Sequence, residues 1–149
     1  MQGVLVRIAG PVAVARGLKS RMYDVVKVGT SELMGEVIQI NGEDSIVQVY
    51  EDTTGLKPGE KVENTGLPLS VELGPGLLTS IYDGVQRPLP VLMQQQGNFI
   101  SRGAAAPALD QNKKWDFKAT AKKGDSVKGG EIIGEVEETE GNTHYVMVP

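Results

Sequence analysis

Cysteine is absent from the 149 residues, so neither a disulfide nor a thiolate metal site can form, which is compatible with a reducing, intracellular home. Histidine occurs once, at His144, which excludes a multi-histidine metal centre. Long apolar runs are missing as well. No stretch approaches the roughly 20 residues of a membrane span, so any service to a membrane is expected from outside the bilayer. Met1-Gln2-Gly3 leads straight into an alternating pattern, without the basic start and apolar run of a secretory leader. Charge of one sign is also scarce. Fifteen Lys and Arg against 19 Asp and Glu give a net charge of -4, which offers no electrostatic reason to bind nucleic acid or anionic lipid.

What the chain does have is turn chemistry. Nineteen glycines and eight prolines punctuate a sequence that is 40% hydrophobic, enough for a core built from short strands. Val4, Val6 and Ile8 alternate with Leu5 and Arg7; Gly10-Pro11 breaks the run and Val12 and Val14 resume it. Tyr23 to Val28 and Leu33 to Ile40 follow, and Asn41-Gly42 separates the latter from Ser45 to Tyr50. Asn-Gly between alternating runs predicts a hairpin, since both residues accept positive φ. Five or six strands in about 65 residues leave edges that small sheets remove by closing. Residues 1–68 are therefore read as a small closed antiparallel β-barrel. Small barrels can bind oligonucleotides, but that needs aromatic platforms and a basic groove. Tyr23 and Tyr50 among Glu43, Asp44, Glu51 and Asp52 supply neither, so no nucleic-acid partner is expected.

Residues 69–98 read as a linker. Gly74-Pro75-Gly76 is a turn, and Leu77, Leu78, Ile81 and Tyr82 recur at helical spacing before a capping Gly84. That allows about two helical turns, too few to stand alone, so their apolar side needs something to pack on. Pro88 and Pro90 predict extended chain after them. Leu92 to Gly97 carries no clear signal.

From residue 99 to 149 the chain is again β-like. Trp115, Phe117, Ala119 and Ala121 alternate with polar residues as in a half-buried strand, Lys123-Gly124-Asp125 turns, and His144, Val146 and Val148 share one face of the last strand. Glu135, Glu137, Glu138 and Glu140 could do acid–base work or hold a cation, but on a turn-flanked strand they read as a solvated face. His144 reads as a half-buried strand histidine. Asp24 and Asp83 have no sequence neighbours that would shift their pKa.

LGPGLLTSIYDGVQRPL resembles the segment by which the catalytic A subunit of V/A-type rotary ATPases leaves its N-terminal barrel. GVLVRIAGPVAVARG, LMGEVIQINGEDSIVQVYEDTTGLKPGEKVENTG and PLSVELG resemble that barrel, in the family's order. RGAAAPALD, KKWDF, KKGDSVKGGEIIGEVEET and THYVMVP are similar to the A subunit's outward insertion, the bulge. The resemblance implies an all-β fold in the main: barrel 1–68, a short helical linker that begins a nucleotide-binding domain over 69–98, and an incomplete barrel–sandwich-hybrid bulge over 99–149. It also implies a parent protein at the membrane-peripheral, cytoplasmic head of an ion-translocating ATPase that uses ATP and Mg2+. The implied partners are B subunits and other A subunits through the barrel, and a peripheral stalk or regulatory contact through the bulge. Members of the family usually continue beyond the Met-Val-Pro equivalent, so the last strand is expected to present an open edge.

The family's ATPase chemistry needs a glycine-rich phosphate loop with a following lysine. No Gly-Lys dipeptide occurs in the sequence, so this part alone is expected to hold no catalytic, cofactor or metal site and to be inactive. GDSVKGGEIIGEVEE is also similar to the hairpin of biotinyl and lipoyl carrier domains. Those need an acceptor lysine at the next hairpin tip, here Thr139-Glu140-Gly141-Asn142, which has none. An independent all-β binding or scaffold module is the alternative reading.

Overall fold

A computed structural model of the chain describes residues 2–149, which divide into two compact units. One comprises Met1–Ser70 and Gln96–Ala105, the other Val71–Gln95 and Ala106–Pro149.

In the first unit six strands, β1 (Gln2–Ala9), β2 (Val12–Arg16), β3 (Asp24–Val28), β4 (Leu33–Asn41), β5 (Asp44–Val49) and β6 (Lys61–Pro68), close into a barrel in the order β1-β2-β5-β4-β3-β6. Every neighbouring pair is antiparallel, and β6 completes the circle by pairing with both β1 and β3. Leu5, Val26, Leu33, Val37, Val47 and Val62 fill the interior, none more than 1% exposed. A strand buried on one face must alternate, and β1 obeys this only up to a point. Leu5 turns inward and Val4 lies 49% exposed; a register shift between Leu5 and Arg7 then brings Ile8 back against the same core.

The Asn-Gly hairpin forms one residue later than its dipeptide suggests. Asn41 pairs with Asp44, so the two-residue loop is Gly42-Glu43, and only Gly42 takes a positive φ, of 60°. That is the II′ pattern, with glycine first, rather than the I′ turn.

The second unit holds a three-stranded antiparallel sheet, β7 (Phe117–Ala119), β8 (Ile132–Thr139) and β9 (Asn142–Met147), with β8 in the centre. On β9, His144 and Val146 are half-buried between exposed Thr143, Tyr145 and Met147, as their spacing predicts. Phe117 and Ala119 are exposed rather than half-buried. β7 is a three-residue edge, and the Phe117 ring lies on Gly134 with its outer side open.

The linker differs most from expectation. In place of two helical turns, Leu77–Thr79 makes one 3-10 turn, and Ser80 is already extended at φ -127°. Ile81 and Tyr82 are drawn into a small hairpin instead: Tyr82 bridges Pro88, and the Leu89 amide donates to the Ile81 carbonyl at 2.9 Å. Leu78 and Ile81 are 67% and 69% exposed, whereas Leu77 is half-buried. Pro90, expected to force extended chain, sits in the first turn of helix α1 (Leu89–Gln96). Amides there have no intrahelical acceptor, so proline's missing N–H costs nothing. Leu92 of α1 is buried at 1%. No helix among the described residues is long and apolar enough to cross a membrane.

Candidate functional site

The best-built polar cluster lies in the second unit around the Gly74-Pro75-Gly76 turn. Gly74 is packed so closely on Leu109 that a Cβ would meet its Cδ1 at 2.7 Å, and Gly76 adopts φ 109°, where a side chain is strained. The turn's amides point at one carboxylate. Glu138 Oε1 accepts the N–H of Gly76 at 2.7 Å and that of Leu78 at 3.2 Å. Its Oε2 lies 3.8 Å from Nδ1 of His144, too long for a hydrogen bond. The Glu138 side chain is 2% exposed and that of His144 23%.

This corrects the reading of the acidic run as a solvated face. Glu137 and Glu140 are exposed and Glu135 is half-buried, but Glu138 faces inward. The signal was present in the sequence: Gly134, Val136 and Glu138 share one strand face, and the first two are core residues. A register shift between Glu137 and Thr139 leaves Glu138 without a directly opposite residue. Val136 pairs with His144, which places the histidine on the same face one step along.

Beside this cluster a cavity of about 160 Å³ is lined by Leu77, Leu78, Glu138, Asn142, Thr143 and His144. A larger one, about 440 Å³, is lined by Pro75, Gly76, Thr79, Tyr82, Ala108 and Trp115 among others. Tyr82 closes part of it by donating its hydroxyl to the Ala108 carbonyl at 2.9 Å, and Lys113 stands 3.9 Å above the Trp115 ring.

Two carboxylates have neighbours that the sequence did not reveal. Burial pushes the Asp83 carboxyl up, but the N–H groups of Arg87 and Val85 and the Arg87 guanidinium, at 2.7 Å, outweigh it and hold the group below its usual range. Asp24, in the barrel, is held low by the Arg21 N–H at 2.8 Å and then by the Asn64 amide at 2.8 Å.

No three His, Asp or Glu side chains among the described residues gather to hold a metal ion, and no buried side-chain nitrogen or oxygen among them lacks a hydrogen-bond partner. The sequence has no Gly-Lys dipeptide, the pair on which a glycine-rich phosphate loop depends. At the β8–β9 tip, Thr139 pairs with Asn142 around Glu140-Gly141, with no lysine to carry a cofactor.

Comparison with known proteins adds to this geometry. Residues 5–66 match the model of the ATP synthase alpha/beta family beta-barrel domain, and residues 106–149 that of the ATPsynthase alpha/beta subunit barrel-sandwich domain. The A subunit of the A-type ATP synthase of Methanoculleus marisnigri is 66% identical over 148 residues, 99% of this chain and 25% of the relative. Its counterparts in Methanospirillum hungatei and Methanosarcina barkeri are 67% identical over 148 residues and 60% over 149. They are covered over 25% and 26% of their length by 99% and 100% of this chain. The chain thus spans about a quarter of the curated relatives it matches. Among solved structures, the assembled ATPase EscN in complex with its central stalk EscO, from the type III secretion system of enteropathogenic E. coli, aligns at TM-score 0.56 and 25% identity. That alignment covers 72% of this chain and 24% of the other.

Proposed function

The chain belongs to the ATP synthase alpha/beta family and matches the N-terminal region of the A subunit of A-type ATP synthases, and on that premise we propose the following division of labour. The whole protein makes or hydrolyses ATP with Mg2+, coupled to ion movement across a membrane, at the cytoplasmic, membrane-peripheral head of the enzyme. The barrel of β1–β6 serves assembly with neighbouring A and B subunits into a ring. The unit around β7–β9 serves a stator or regulatory contact. Residues 1–68, 69–98 and 99–149 correspond to barrel, linker and bulge.

The single observation that supports this best is the match in order: a closed six-stranded barrel and then a barrel-sandwich segment, at 66% identity along 99% of the chain. No step of ATP chemistry is assigned to these residues. The test is a nucleotide titration by calorimetry. The full-length protein should bind Mg-ATP tightly, and residues 1–149 should give no heat of binding. Saturable binding by residues 1–149 would overturn the division.

A further inference from the structure

The Glu138 carboxylate is a buried charge with two claimants. A buried carboxylate must be compensated by donors or an opposite charge. Here the compensation is split: the turn amides of Gly76 and Leu78 hold Oε1, and the imidazole of His144 waits 3.8 Å from Oε2. Three features make the side chain movable. The β8 register shift leaves it without an opposite residue, so no cross-strand partner fixes its rotamer. The 160 Å³ cavity gives it room between the turn and β9. Closing the gap to a hydrogen bond with His144 takes about 1 Å of travel.

We propose that Glu138 is a two-position strap. In the position seen, it pins the Gly74–Leu78 turn to the β8–β9 hairpin. In the other, the carboxylate turns by about 1 Å so that Oε2 bonds Nδ1 of His144 and Oε1 loosens its hold on the Gly76 and Leu78 amides. Leu78, which the turn presents to the outside, is then held or freed according to the state of the hairpin. A contact made at the hairpin is in this way felt at the linker. The idea deepens the regulatory role proposed for this unit, and rests on that reading only for its use and not for its existence.

The experiment is amide-resolved NMR on residues 1–149, with hydrogen exchange and relaxation dispersion read at Gly76 and Leu78. In the wild-type chain these two amides should show exchange broadening on the μs–ms scale. Glu138→Gln keeps the shape but removes the charge, and should raise their hydrogen-exchange rates by about tenfold or more. His144→Phe removes the second position and should abolish the broadening while leaving their protection intact. Unchanged protection of the β7–β8–β9 ladder around Lys118, Glu135 and Tyr145 shows that the unit carrying each variant is folded. Absence of broadening in the wild type, or its survival in His144→Phe, would overturn the strap. Neither result bears on ATP binding by the full-length protein, so the two readings fail separately.

Discussion

The side-chain amide of Asn64 on β6 donates to the carboxylate of Asp24 on β3 at 2.8 Å and to the Lys19 carbonyl at 2.9 Å, while its own oxygen accepts the N–H of Gly66. Both side chains are buried where β3 and β6 meet, the seam that closes the barrel. Replacing Asn64 with Leu leaves a buried charge and a carbonyl short of donors. The expected loss is about 2–3 kcal/mol of stability, read from urea unfolding.

Asp24, held first by the Arg21 N–H and then by Asn64, gives the barrel a pH dependence. The Asp24 carboxyl is held below its ordinary value in the folded chain and returns to about 3.9 on unfolding. Its contribution is therefore fully present above pH ~4, and is lost as pH falls through the lower folded value. Thermal melts from pH 7 to pH 2 should show that loss. Asp24→Asn should flatten the acid limb while lowering stability at pH 7.

Gly103 sits at φ 70°, where a Cβ would run into the Ser31 carbonyl oxygen, and its N–H donates to Glu51 at 2.8 Å. Gly10 has a similar φ, of 58°, but nothing near its missing side chain. Gly103→Ala should cost clearly more than Gly10→Ala, about 2–3 kcal/mol against about 1. Matched denaturation curves of the two variants decide it.

Leu33 is fully buried in the barrel, whereas Leu78 and Ile81 stand exposed on the linker. Leu33→Ala should lose about 2–5 kcal/mol in residues 1–149, and the double change Leu78→Ala, Ile81→Ala under about 0.5. In the full-length protein the double change should become destabilising, since the linker, as the family resemblance implies, begins a nucleotide-binding domain on which its apolar side would pack. Melts of both lengths check the contrast.

The barrel was legible because its information is local. Alternation chose the faces, and Gly-Pro and Asn-Gly placed the turns to within a residue. What escaped depends on partners far along the chain. The helical spacing of Leu77 to Tyr82 lost to a hairpin closed by Pro88, and Pro90 was tolerated because the first turn of α1 does not need its N–H. Glu138 sat in phase with Gly134 and Val136, but its run of acidic neighbours suggested solvent. Nothing local foretold that the Arg102 guanidinium would return to the Thr54 carbonyl and join residues 96–105 to the barrel unit.

The most direct test is native mass spectrometry of the whole protein, full-length and with residues 1–68 removed, each co-expressed with the B subunit proposed as its partner. Alternating hexamers from the full-length protein, and only monomers or AB pairs that still bind ATP from the shortened one, is the predicted result. Intact hexamers without residues 1–68 would contradict an assembly role for the barrel.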